Sequence, residues 1–267
     1  MKEIFKASLL KYFIVVLTLL CYRVAAAEVN ILAVDEPPAA YVDYAQKQHG
    51  YVLDIVKALQ KNLNDKAKIL FIPEARALNI MAQEPDTLLM SISRTPSRER
   101  HFNWIAKVME KKWEVYTLRN ANISINTISD LRLLSSIGVV RGDVREEWLV
   151  NNNFKNLYSV TMHKQNVQML KLGRVDAIIY EKQGLVYQSN SLGIEPLVFK
   201  SVFVLNQASV YIVMSKHSSP QLVKQWQSAF AELAESGELA RITLHWQLIL
   251  RTQFGINSDV VNNILVF

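Results

Sequence analysis

The chain has 267 residues, half of them hydrophobic and a fifth charged, a balance that excludes an intrinsically disordered chain and leaves room for one or two domains. The formal net charge of +6 falls to +3 beyond residue 27, because Lys2, Lys6, Lys11 and Arg23 stand against Glu3 in the first 27 residues. So mild an excess, carried by scattered rather than striped basic residues, argues against nucleic acid as a partner.

Residues 1–27 have the order of a secretory signal peptide. Lys2, Lys6 and Lys11 form a basic start, and Tyr12 to Tyr22 is an apolar run of 11 residues broken only by Thr18. Ala25-Ala26-Ala27 supplies a small-x-small cleavage site, so the mature chain is expected to begin at Glu28, in the periplasm. The run falls short of the roughly 20 apolar residues that span a bilayer. Cys21 is the only cysteine, and Leu19 and Leu20 stand where lipid attachment would need small residues. The mature chain then holds no disulfide and no thiol–metal site.

Val29–Val34 is a short apolar run, read as a buried strand that ends at Asp35-Glu36-Pro37-Pro38. Val52, Ile55, Val56, Leu59 and Leu63 recur at helical spacing and predict a helix over Tyr51–Leu63. Lys68–Ile72 reads as a strand, Pro73 opens a helix with Leu78 and Met81 inward, and Thr87–Ile92 reads as a third strand. This alternation points to a parallel sheet covered by helices.

A second alternating unit follows: strands at Trp113–Leu118, Ile137–Val140, Leu157–Thr161 and Val175–Tyr180, and helices capped at Ser129-Asp130 and near Val144–Asn151 and Asn166–Leu172. Ser209–Met214 reads as a strand. Pro220 opens an amphipathic helix with Leu222, Trp226, Phe230 and Leu233 on one face, Gly237 breaks it, and a last helix reaches about Leu248. Residues 251–267 are short on helix signals and unplaced. The five tryptophans read as packing residues, and none of the five histidines has a neighbour at metal-ligand spacing, so no metal site is expected.

Five segments stand out: Gly50-Tyr51-Val52-Leu53-Asp54-Ile55; Ser91 to Arg100 with Phe102; Ile128-Ser129-Asp130-Leu131 followed by Ile137-Gly138-Val139 and Arg141-Gly142; Gly173-Arg174-Val175-Asp176-Ala177; and Leu222 to Trp246 with Gly237 between two helices. Together they resemble the family 3 solute-binding proteins, the periplasmic components of polar amino-acid transporters. The resemblance covers about Glu28 to Leu248. It implies an α/β, type II periplasmic-binding-protein fold of two lobes, each a mainly parallel sheet flanked by helices. Lobe 1 would comprise residues 28–109 and 207–267, and lobe 2 residues 110–206. Two hinge crossovers are expected near Met109–Trp113 and Leu205–Ala208.

Within that frame Arg98, three residues after Thr95, is expected to grip a ligand carboxylate with its planar fork. Ser91, Ser93 and Thr95 lie at the end of a strand, where open α/β sheets bind ligands, although turn chemistry explains Ser91 equally. Gly142 and Asp143 link a strand to a helix start, where free amides favour an anion and Asp143 also reads as a helix cap. Glu181 stands where the family usually has an Asp for the ligand's amino group, or is simply an acid at a helix start. Arg76 is a candidate second cation, and Tyr41 a candidate stacking wall.

The expected function is capture of a small carboxylate or amino-acid-like ligand by hinge closure, by a monomer without a cofactor. Delivery would be to the permease of an ABC transporter, or to a signalling receptor if the protein is a sensor component. A periplasmic dehydratase-like enzyme with Glu181 as general acid is the other alternative. The chain has no Gly-x-Ser-x-Gly elbow, no Gly-rich phosphate loop and no zinc motif.

Overall fold

In the computed structural model, which describes residues 29–43 and 45–267, the chain begins with β1 (Asn30–Ala33) and a small hairpin of β2 (Tyr41–Val42) and β3 (Gln48–His49). The expected signal peptide, with Cys21, lies outside the described residues. Helix α1 (Tyr51–Leu63), strand β4 (Ile69–Phe71), helix α2 (Glu74–Gln83) and strand β5 (Thr87–Ser93) follow. β1 pairs in parallel with both β4 and β5, as the alternating order indicates. The apolar stripe of α1 is fully buried at Val52, Ile55, Val56 and Leu59. Gly50, just before it, has φ 146°, and a Cβ there would meet the Ala39 carbonyl oxygen at 2.3 Å, so only glycine allows this entry to the helix.

Next come β6 (Phe102–Leu118), a 3₁₀ turn at Ile128–Leu133, β7 (Ile137–Val140), α3 (Val144–Asn151), β8 (Leu157–Val160), α4 (His163–Lys171), β9 (Ala177–Tyr180) and α5 (Lys182–Ser191). The chain ends with β10 (Phe199–Ser215), α6 (Pro220–Glu235), α7 (Glu238–Phe254), β11 (Asp259–Val261) and β12 (Ile264–Val266). The sheet order is β4-β1-β5-β10-β6-β9-β7-β8. β7 is parallel to both β8 and β9, a second parallel group beside the first.

The two 17-residue strands β6 and β10 join these groups. They pair antiparallel from Phe199↔Leu118 to Ser215↔Phe102 with four register shifts, which add local bend and twist. The strands expected at Trp113–Leu118 and Ser209–Met214 are only the ends of these longer ones. Lys107, Glu110, Lys111 and Lys112 interrupt the apolar alternation of β6, which hid its first half from the sequence pattern. Apolar packing divides at the same place. One pair of clusters gathers α1, β1, β5, α6 and α7 with Met109 and Val210. The other pair gathers β7, α3, β9 and α4 with Trp113 and Ala208.

Several local expectations need correction. The 3₁₀ turn is capped by Thr127, with Asp130 accepting from the Asn126 and Thr127 amides, rather than by Ser129. α4 begins at His163, three residues early, where Gln165 reaches back to the Met162 amide. α7 continues to Phe254, and the unplaced tail forms the β11–β12 hairpin. β12 lies parallel to β6, with Leu265 opposite Met109. Among the described residues no helix is long and apolar enough to cross a membrane.

Candidate functional site

The loops at the C-terminal ends of the parallel strands face one another across the boundary between the two strand groups, where open α/β sheets place ligands. Glu36 follows β1, Glu74 opens α2, and Arg98 lies in the turn after β5. From the other side come Gly142, Asp143, Arg145 and Glu147 at the β7–α3 junction, His163 at the start of α4 and Glu181 between β9 and α5. Lys111 reaches in from the middle of β6. All of these charged side chains are buried except that of Glu147, which is 32 % exposed.

They bond one another directly. Arg98 Nε donates to Glu147 Oε2 at 2.8 Å, and its Nη2 donates to the Gly142 carbonyl at 3.0 Å. Its Nη1 lies 3.7 Å from Glu74 Oε1, too far for a hydrogen bond. Arg145 forms a fork with its near neighbour Asp143, with Nε to Oδ1 at 2.6 Å, and Nη2 reaches Glu36 Oε1 at 3.0 Å. Its Nη1 is 2.7 Å from Glu181 Oε1, an ion-pair distance without hydrogen-bond alignment. Lys111 Nζ joins the same two carboxylates, 2.7 Å from Glu36 and 2.5 Å from Glu181.

Five carboxylates (Glu36, Glu74, Asp143, Glu147, Glu181) face three permanent cations (Arg98, Lys111, Arg145). Burial pushes the Glu181 carboxyl up, but Arg145 and Lys111 outweigh it and hold it at about 2. Asp143 is likewise lowered, because Arg145 overcomes its burial. Glu74 stays well above the usual range through burial, with the nearby Asp143 charge adding to it, and Glu36 is raised mainly by burial. His163, stacked on Tyr180 with ring centroids 4.8 Å apart, is held at about 4 by burial and then by Arg145. A general acid at Glu181 would need a raised pKa; its two cations set the opposite.

Of the nine residues singled out from the sequence, Arg98, Gly142, Asp143 and Glu181 meet in this cluster. Asp143 also caps α3, accepting from the Arg145 amide at 2.7 Å. Gly142 has φ 79°, and a Cβ on it would meet Ala75 Cα at 2.9 Å, so glycine permits this close approach of the β7–α3 loop to α2. Thr95 Oγ1 serves its own turn, bonding Ser97 Oγ at 2.9 Å and accepting from the Arg98 amide at 3.3 Å. Ser93 is buried in β5 opposite Val210. Ser91 has φ 70°, a conformation costing a non-glycine residue about 1–3 kcal/mol, and its buried hydroxyl has no hydrogen-bond partner. Tyr41 is buried beside Tyr187 of α5, centroids 4.5 Å apart. Arg76 is exposed on α2, outside the cluster.

The sequence reading missed Glu36, Glu74, Lys111, Arg145, Glu147 and His163. Only Arg145 carried a local clue: a cation in the first turn of a helix opposes the macrodipole. Beside the cluster lies a mostly apolar cavity of about 240 Å³, reached from Val34, Phe71, Ile72 and Glu74 on one side and Val140 and His163 on the other. Ligand atoms of Glu36, Asp143 and His163 lie within 4.8 Å of one another, a spacing that could serve a cation. Arg145 and Lys111 already occupy these carboxylates, and their charges oppose a metal ion there.

Known structures share this architecture. A histidine kinase sensor domain with similarity to periplasmic binding proteins superposes with a TM-score of 0.73 at 15 % identity, over 81 % of this chain and 95 % of its own. The solute receptor for L-cysteine of Neisseria gonorrhoeae gives 0.72 at 19 % identity, over 85 % and 92 %. An ancestral arginine-binding protein bound to arginine gives 0.70 at 19 % identity, over 82 % and 98 %. These likenesses establish the type II periplasmic-binding-protein fold. The model of the bacterial extracellular solute-binding proteins, family 3, matches residues 30–248. The chain belongs to that family, one of solute-binding proteins rather than enzymes.

Proposed function

We propose that the protein is a periplasmic receptor for a small carboxylate or amino-acid-like solute, captured between lobes formed by residues 28–109 with 207–267 and by residues 110–206. The lobes would hinge about β6 and β10 and hand the solute to the permease of an ABC transporter. The observation that carries this reading is Arg98. A carboxylate from the opposite side, Glu147, already bonds its fork at 2.8 Å, which is the geometry a solute carboxylate would adopt. Glu147 is partly exposed and can turn to water when displaced.

The remaining features fit the rest of such a solute. The unpartnered Ser91 hydroxyl is a spare hydrogen-bonding group at the strand end. Arg98 and Glu147 themselves line a cleft of about 470 Å³ together with Leu78, Phe102 and His217, within the roughly 300–1,000 Å³ of small-molecule pockets. A solute touching both lobes favours the closed form, and a 100-fold bias takes roughly 2.7 kcal/mol of differential binding. The similarity to a sensor domain favours a second reading, in which the closed form signals to a receptor rather than loading a permease.

A thermal-shift screen of amino acids and organic acids, followed by calorimetry, tests the proposal. Arg98→Ala should weaken the best solute by at least ~100-fold with the fold retained, since Glu147 faces water and Glu74 is held toward its neutral form. Unchanged affinity would remove Arg98 from the site.

A further inference from the structure

We propose that Arg145 is a built-in occupant of the groove: its guanidinium fills a cation pocket made by both strand groups, and a guanidinium is the class of ligand that pocket takes. The inference concerns the acidic part of the groove, and it stands whichever solute Arg98 binds.

Three carboxylates surround this one side chain. Asp143 holds it as a fork, Glu36 accepts from Nη2 at 3.0 Å, and Glu181 lies 2.7 Å from Nη1. The Tyr180 ring closes one face, its centroid 5.2 Å from the guanidinium carbon, a cation–π distance. Carboxylates at the edge and an aromatic ring on the face are what a planar cation requires. The Arg145 side chain is 2 % exposed.

Helix formation does not account for Arg145. It is the second residue of α3, where the macrodipole favours an acid, and a buried cation bears a desolvation cost of several kcal/mol. Packing does not call for it either, since an apolar side chain of similar volume would fill the space without that cost. The placement makes sense as a contact between the two sides. Arg145 belongs to the β7–α3 junction, and Glu36 follows β1, 109 residues earlier. The side chain therefore bridges the groove as a bound cation would. A cationic solute reaching this pocket must displace it, so Arg145 excludes such solutes from the acidic part of the groove and helps hold the two sides together.

The test uses methylguanidinium chloride at millimolar concentration, far below denaturing levels, with the full mature chain. Arg145→Ala should bind it at least tenfold more tightly than wild type by calorimetry, and should gain a thermal shift that sodium chloride at equal ionic strength does not give. An Arg145→Ala protein that is folded and responds as wild type does would overturn the proposal. Should that variant fail to fold, Arg145→Met keeps most of the stem, and the unmodified protein offers a second measurement. The Arg145 Nε–H signal should resist exchange with solvent, and exchange as fast as that of an exposed arginine would equally overturn the proposal. Wild type that binds no solute, beside an Arg145→Ala variant that binds methylguanidinium, would sink the proposed function and leave this inference standing.

Discussion

Two arginines cross the groove in opposite directions, and their surroundings differ. Arg98 reaches from the β5 turn to Glu147, a partner 32 % exposed, and its Nη1 makes no hydrogen bond. Arg145 reaches from α3 to Glu36, and all three of its carboxylate partners are buried. Exchanging Glu147 for another carboxylate costs Arg98 little, because the displaced group returns to water. Removing any partner of Arg145 leaves a charge in a low-dielectric interior. The first arrangement suits a contact that is made and broken, the second one that persists. Two side chains of the same type thus divide the groove into an exchangeable part and a locked part.

The locked part should dominate stability. Lys111→Met removes the base between Glu36 and Glu181 and leaves their carboxylates to Arg145 alone. The expected loss is about 3–5 kcal/mol in urea unfolding, and a loss below ~1 kcal/mol would break the distinction.

The same region should set the acid response. His163 is held at about 4 against an ordinary value of 6.5, so between those values the unfolded chain takes up a proton that the folded chain refuses. Its contribution is complete above pH 6.5 and is lost as the pH falls toward 4, by roughly 3 kcal/mol. Glu181 and Asp143, held low, add a further loss below the ordinary carboxylate range, whereas Glu36 and Glu74, held high, act in the opposite sense. The signature is therefore a difference. His163→Phe, which retains a ring against Tyr180, should flatten the unfolding free energy between pH 6.5 and 4 relative to wild type. Parallel profiles would contradict the assignment.

How far the sequence revealed this follows from the range of each interaction. β7 and α1 are legible because their apolar spacing is local and uninterrupted. The first half of β6 is not, since Lys107 and Glu110 pair with each other along the strand and break its apolar alternation, while Lys111 and Glu110 also meet the distant Glu36 and Gln207. Arg98 stands in a run of charges that reads locally as a solvated surface, and only the resemblance of Ser91–Arg100 to the family singled it out; in the structure its amide closes a turn on Thr95. Lys111 and Arg145 acquire meaning only when Glu36 is brought beside them from 75 and 109 residues away, and no local pattern encodes that meeting. Arg76 shows the converse: a cation at a helix start, next to the residue that packs on Gly142, is nonetheless exposed.

The exchangeable part has the smallest expected effect and the most direct test. Once a carboxylate solute is found, it should be titrated by calorimetry into wild type and into Glu147→Gln, which keeps the shape of Glu147 and removes the charge competing for Arg98. A solute carboxylate that takes the place of Glu147 should bind the variant about tenfold more tightly, a gain of about 1.4 kcal/mol. Equal or weaker binding would mean that the solute does not exchange with Glu147 at Arg98, and the account of this groove as a carboxylate receptor would be wrong.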